Sequence, residues 1–154
     1  INAAPELALG AGDFTAEAWV NFDETPSSSQ HLLGPHENGQ YTDWCVIAKG
    51  STQELEILLN GIPRLLVPWR PTAGTWTHVA VSRHNGMLMA FLDGELRGAT
   101  SAPMALALTN PISLGATINS VLPFKGSMDE FRVSRVARYT SDFIPPTRPY
   151  RLGE

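Results

Sequence analysis

Two carboxylates in the sequence have a spacing that could support acid–base chemistry. Glu54 and Glu56 lie two residues apart in the segment ELEILL, which predicts a β-strand, so both side chains should point to the same face. Two carboxyl groups on one face can flank a glycosidic bond as acid and nucleophile. We expect both to face solvent on a half-buried strand.

The other reactive residue types lack a catalytic or metal-binding spacing. Four histidines are scattered along the chain, at His31, His36, His78 and His84. The single cysteine, Cys45, can form neither an internal disulfide nor a structural zinc cluster. Because it lies in an apolar run, we expect it to be a small buried residue.

Two tryptophans adjoin polar residues near predicted loops, where recognition residues are common. Aromatic rings can stack on sugar rings, while amides, carboxylates and guanidinium groups can bind sugar hydroxyls. The sequence therefore predicts a ligand-binding surface made of Trp44, Trp69, Asn38, Gln40, Asp43 and Arg70. The alternative is that both tryptophans only cap the ends of the fold.

The elements that must position these residues are β-strands. Apolar side chains alternate with polar ones over residues 14–22, which indicates a strand with one fully apolar face. Further strands are predicted at 31–34, 44–49, 54–59, 62–68, 76–84, 87–92, 95–98, 112–115 and 127–135. Asn-Gly or Asp-Gly pairs separate several of them, which favours tight antiparallel hairpins. No segment has convincing helical periodicity, so we predict an all-β sandwich.

Length and charge narrow the possible functions. The chain has 154 residues, enough for one domain, and we expect 1–154 to be a single domain. Since it begins at Ile1 without Met, we expect it to be processed or part of a longer chain.

A net charge of −4 argues against nucleic-acid binding, and no apolar stretch is long enough for membrane insertion. Six basic residues lie in 125–151, either mixed with acids on folding or forming a basic edge.

Three segments resemble the laminin-G-like jelly-roll domains of the concanavalin-A-like superfamily, over nearly the whole chain. They are DFTAEAWV at 13–20, WTHVAV at 76–81 with Leu-Asp-Gly at 92–94, and GSMDEFRV at 126–133. The resemblance implies a two-sheet antiparallel jelly-roll sandwich. Related glucanases carry three carboxylates at alternate positions of one strand, but here Leu58 stands at the third position, so we predict no catalysis.

The resemblance also implies a metal and a biological context. In similar domains a late-strand aspartate binds calcium together with residues near the N-terminus, and Asp129 occupies that position. The alternative is that Asp129 pairs with a backbone amide or an arginine. The ending at 136–147 is similar to a form found in phage tail and other virion proteins.

These observations lead to one principal hypothesis and one alternative. The first is a non-catalytic adhesion module on a virion or extracellular protein, with a glycan or cell-surface polysaccharide as partner. The alternative is a structural protein–protein interaction or capsid-decorating domain that contacts other virion subunits. We expect Phe14, Val20, Val79, Val81, Phe91, Phe131 and Val133 to form the core. The Pro-rich tail 142–150 should pack on the sandwich as a strap or leave it as a linker.

Overall fold

The fold is described from a computed structural model covering residues 8–35, 44–106, 111–117 and 121–150. These residues form ten β-strands and no helix, so none of them forms a helix able to cross a membrane. The strands are β1 (Phe14–Phe22), β2 (Gln30–Pro35), β3 (Trp44–Lys49), β4 (Glu54–Leu59), β5 (Ile62–Pro68), β6 (Trp76–His84), β7 (Met87–Leu92), β8 (Glu95–Ser101), β9 (Ile112–Leu114) and β10 (Gly126–Ser134). The predicted strands are all confirmed, most of them to within a residue or two at each end.

The strands form two five-stranded antiparallel sheets packed face to face. The order is β10-β1-β6-β7-β8 in the first sheet and β5-β4-β3-β2-β9 in the second. The predicted jelly-roll sandwich is therefore confirmed. Strand β5, which contains Pro63 and Pro68, lies at a sheet edge, where a residue without a backbone N–H is tolerated.

The tight hairpins have the backbone that their sequences predict. Asn60-Gly61, Asn85-Gly86 and Asp93-Gly94 all have positive φ at both residues. This geometry matches the right-handed twist of the flanking strands. At Gly94 a side chain would also collide with the carbonyl oxygen of Phe143, which crosses this turn.

The core lies between the inner faces of the two sheets. Phe14, Val20, Val79 and Val81 are fully buried there, as predicted. The two predicted core residues on β10 are only partly buried against this core, because their strand lies at the edge of its sheet. They are Phe131 and Val133.

Phe91 is buried on the other side of its sheet. It packs with Ala80 and Met89 on the outer face of the first sheet, beneath Tyr139 and Phe143. The covering segment, residues 136–150, is called the strap below. The prediction that the tail packs on the sandwich is confirmed for the described residues of the tail.

Folding mixes the basic C-terminal residues with acids that are distant in sequence. Arg132 pairs with Glu17 at 2.8 Å, and Lys125 pairs with Glu24 at 2.9 Å. The first pair has a buried carboxylate, whereas the second is largely exposed. Part of the basic charge is thereby neutralised within the domain.

Candidate functional site

The structure places Trp44 in the core rather than on a recognition surface. Its side chain is 3% exposed, and its ring centroid lies 6.2 Å from that of Phe14. As the first residue of β3, Trp44 points to the same inner face as Val46 and Ala48. The expectation that Trp44 is an exposed aromatic anchor is therefore wrong, since its indole has no free face.

Trp69 and Arg70 lie together at an open cleft. They follow β5 and meet the turn before β4 and the turn between β7 and β8 at one end of the sandwich. The cleft has a volume of about 550 Å³. We call it the Trp69 cleft, and it is lined by Gln53, Pro68, Trp69, Arg70, Thr77, Leu92, Asp93, Glu95 and Arg97.

The half-buried indole of Trp69 is held in place from below and from the side. Its ring lies edge-on to Phe22, with centroids 5.6 Å apart. Its backbone N–H donates to the carbonyl oxygen of Gln53 at 2.9 Å. The side-chain amide of Gln53 in turn donates to the carbonyl oxygens of Pro26, at 3.0 Å, and Gly50. The aromatic wall of the cleft is thus fixed before any ligand binds.

The charged groups of the cleft differ in how far they are already engaged. Asp93 accepts the backbone N–H of His78 at 2.8 Å, and Glu95 pairs with Arg97 at 3.2 Å. Arg70 is exposed and makes no hydrogen bond or ion pair with any residue in the described ranges. The cleft therefore offers an uncommitted guanidinium beside an aromatic ring.

The remaining predicted site residues fall in two groups. Asn38, Gln40 and Asp43 lie outside the described residues. Asp129 is exposed, and its Oδ1 accepts the backbone N–H of Glu130 at 2.8 Å. A calcium ion takes six to eight oxygen ligands, and the described residues contain no cluster of three or more His, Cys, Asp or Glu side chains able to hold a metal. The partners that the resemblance assigns to Asp129 lie near the N-terminus, where residues 1–7 fall outside the described ranges, so calcium binding at Asp129 stays a prediction.

The paired carboxylates of β4 do not form an open acid–base site. Glu56 is 8% exposed and pairs with Lys49 at 3.4 Å, whereas Glu54 is half-buried. The expectation that both face solvent is wrong for Glu56. Both point to the outer face of the second sheet, as does Leu58, which packs with Cys45 and Ile47.

A buried polar cluster on the outer face of the first sheet was not predicted. Glu17 is fully buried, and its Oε1 lies 2.8 Å from both Nε and Nη2 of Arg132. Its Oε2 accepts the hydroxyl groups of Tyr139, at 2.8 Å, and Tyr150, at 3.0 Å, and lies 3.2 Å from His78 Nε2. Both tyrosines belong to the strap, so Glu17 ties the strap to the sheet.

The hydrogen bonds of this cluster control its ionisation. Burial alone would raise the pKa of Glu17, but hydrogen bonds from His78, Tyr139 and Arg132 outweigh it and hold that pKa below its usual value. Burial and the adjacent Glu17 carboxylate raise the pKa of Tyr139 to about 12. The cluster is therefore an ionised carboxylate surrounded by neutral hydroxyl donors and one guanidinium.

Alternation in β1 gave a partial signal for this cluster. Glu17 and Trp19 share the face opposite the apolar residues of β1, and a tryptophan on that face indicates that it is partly covered or forms a groove. Glu17 is covered by two strap residues, Tyr139 and Tyr150, which lie 122 and 133 residues further along the chain, and alternation cannot reveal such distant contacts.

The sequence matches one known protein family. A family model of the concanavalin A-like lectin/glucanases superfamily matches residues 2–142. The chain therefore belongs to this superfamily. None of the curated protein sequences compared with it matches.

Solved structures share the fold. A presumed carbohydrate-binding protein from Bacteroides ovatus superposes with a TM-score of 0.70 at 20% identity, over 84% of this chain and 39% of that one. The chain thus spans less than half the length of that protein. The CBM40 domain of the Ruminococcus gnavus IT-sialidase, also solved with α2,6 sialyllactose, gives 0.64 at 19% identity over 87% and 80%. Domain 4 of AbnA, an extracellular arabinanase from Geobacillus stearothermophilus solved with arabinotriose, gives 0.63 at 20% identity over 82% and 62%.

Proposed function

We propose that this domain is a non-catalytic glycan-binding module and that the Trp69 cleft is its binding surface. One observation carries the proposal. A pre-positioned, half-buried indole lies in an open cleft of about 550 Å³, beside an arginine with no partner among the described residues. The volume falls within the roughly 300–1,000 Å³ typical of ligand sites.

The lining of the cleft suits a sugar. The indole offers a flat apolar face for the C–H face of a sugar ring. Around it, the guanidinium of Arg70 can donate to hydroxyl oxygens, and the carboxylates of Asp93 and Glu95 can accept from hydroxyl groups. Because Trp69 is already fixed by Phe22, binding costs little side-chain entropy.

The related structures support a glycan ligand in general but do not name it. Two of the related domains were solved with sialyllactose and with arabinotriose, which differ in composition and charge. At about 20% identity, a shared fold does not transfer a ligand, so the proposal rests on the cleft.

A non-catalytic role fits the state of the carboxylate pair. Glu56 is buried and paired with Lys49, so it is poorly placed to reach a glycosidic bond. An extracellular or virion setting stays a prediction, as does calcium binding at Asp129.

A second candidate function is protein–protein interaction, as in a structural domain of a virion. Large apolar side chains are exposed on the two edge strands that meet at one side of the sandwich. Ile62 and Leu66 on β5 are 50% and 46% exposed, and Leu96 on β8 is 38% exposed. Large exposed apolar side chains on edge strands can take part in protein–protein contacts.

A glycan-array screen of the isolated domain tests the proposed function. It would be run in EDTA and again in calcium, because calcium dependence is a separate prediction. Trp69→Ala and Arg70→Ala should each weaken binding more than tenfold, about 1.4 kcal/mol. Arg135→Ala, at an exposed arginine outside the cleft, should bind normally.

Two results would reject the proposal. One is the absence of binding to any glycan by the folded domain in either condition. The other is binding that neither cleft substitution changes. In that second case the glycan binds elsewhere on the domain.

A further inference from the structure

Trp76 is the most exposed of the four tryptophans, at 42%, and the Trp69 cleft does not use it. It is the first residue of β6 and pairs with Asn21 of β1, on the outer face of the first sheet. The next residue, Thr77, points to the other face and lines the Trp69 cleft. The start of β6 therefore contributes Thr77 to the Trp69 cleft on one face and exposes Trp76 on the opposite face.

Trp76 borders a second groove of about 340 Å³. Trp19 and Asp129 lie beside it on β1 and β10, and strap residues 146–149 form the facing wall. We call this the Trp76 groove. Its volume is also within the roughly 300–1,000 Å³ range of ligand sites.

The walls of the groove are fixed by contacts that its lining residues make with one another and with neighbouring residues. The indole N–H of Trp19 donates to the carbonyl oxygen of Pro146 at 3.1 Å. The backbone N–H of Tyr150 donates to Glu130 Oε2 at 2.7 Å, and the guanidinium of Arg132 lies 3.7 Å from the centroid of the Tyr150 ring. With Glu17 holding Tyr150 as well, the strap wall is preorganised, and a ligand would not have to order it.

The groove places an acceptor and a donor around the exposed ring. Asp129 is exposed, and the hydrogen bond to the Glu130 N–H uses only one of about four acceptor positions of its carboxylate. Arg148 is exposed and has no hydrogen-bond or ion-pair partner in the described part of the chain. An indole face flanked by a free acceptor and a free donor matches a sugar unit, whose ring stacks while its hydroxyls both donate and accept.

We infer that the Trp76 groove is a second saccharide-binding subsite, which takes a neutral sugar unit through Trp76, Asp129 and Arg148. A neutral unit fits because the groove offers both signs of charge. The inference rests on the proposed function for its ligand class. It makes the domain bivalent, with one subsite on each side of the start of β6. Two linked subsites raise the apparent affinity for a multivalent glycan surface without new contacts.

The test isolates the second subsite by removing the first. Trp69→Ala domain labelled with ¹⁵N is titrated with four neutral trisaccharides: arabinotriose, cellotriose, maltotriose and mannotriose. We expect at least one of them to shift the indole N–H resonance of Trp76. In the same background, Asp129→Asn and Arg148→Gln should each weaken that binding at least tenfold, whereas Arg135→Gln should not. Because Asp129, Arg135 and Arg148 are exposed, these three substitutions should leave the fold intact. The backbone amide resonances of each variant, Trp69→Ala included, will show whether it is folded.

The outcomes separate this inference from the proposed function. If the unmodified domain binds a trisaccharide and Trp69→Ala binds none, the second subsite is rejected while the Trp69 cleft stands. If Trp69→Ala binds but neither Asp129→Asn nor Arg148→Gln weakens binding, the assignment to this groove is also rejected. Binding of no glycan of any kind by the unmodified domain would reject both.

Discussion

Replacing Glu17 by Gln removes the charge that ties the strap to the first sheet. Glu17 is fully buried and accepts from Arg132, Tyr139 and Tyr150. In the variant, the amide NH₂ must face some of these donors, so at least one loses its acceptor and Arg132 loses its ionic partner. Removing one partner of a buried ion pair lowers the free energy of unfolding by about 3–5 kcal/mol.

Urea unfolding measures this loss directly. For a chain of this size a loss of 3–5 kcal/mol corresponds to a melting temperature lower by roughly 6–20 °C. Glu24→Gln is the matched control, because it breaks a pair with Lys125 whose side chains are about 60% exposed, and such pairs contribute at most about 1 kcal/mol. A loss below about 1 kcal/mol for Glu17→Gln would refute the view that this cluster anchors the strap.

Three other predictions follow from burial and charge. The folded-state pKa of Glu17 lies below its usual value of 4.5, so its contribution to stability should be complete above that value and be lost as pH falls through the lower folded pKa. Urea titrations between pH 3 and 6 should show this fall in the unmodified domain and a smaller one in Glu17→Gln. Burial raises the pKa of the Cys45 thiol, so a thiol reagent should label it only after unfolding; fast labelling of the native domain would contradict its position. Trp44→Ala should cost about 3–5 kcal/mol in urea unfolding as a core truncation, and a near-native stability would show that Trp44 is not packed as described.

Local sequence signals predicted the strands because strand geometry is local. Asn60-Gly61 and Asn85-Gly86 specify their hairpins through backbone preferences of the two residues themselves. Alternation over Phe14–Phe22 identified the inner face of β1 for the same reason, since side-chain direction has a period of two.

Sequence reasoning anticipated only part of the candidate site. Trp69 and Arg70 were singled out because they lie at a strand end, outside any alternating pattern, and the structure brings them together at one cleft; their role in binding stays a prediction. Trp44 was misassigned because its polar neighbours in sequence outweighed its own strand parity, although Val46 and Ala48, two and four residues on, point inward with it. Contacts such as Glu17 with Tyr150, 133 residues apart, depend on the path of the strap, which no local pattern encodes.

The most direct test of the account follows the four tryptophan indole N–H resonances of the unmodified domain during titration with a glycan that it binds on the array. The four indoles have distinct environments. Trp44 is buried in the core, Trp69 lines the Trp69 cleft and Trp76 lines the Trp76 groove. The indole N–H of Trp19 donates to the carbonyl oxygen of Pro146. We expect the indole N–H resonance of Trp69 to shift progressively until the site is saturated with glycan. The Trp76 resonance should shift in the same way if the glycan contains a neutral sugar unit. The Trp44 resonance should stay in place. If a glycan saturates the domain and leaves the resonances of both Trp69 and Trp76 unchanged, recognition by the Trp69 cleft and the Trp76 groove is contradicted.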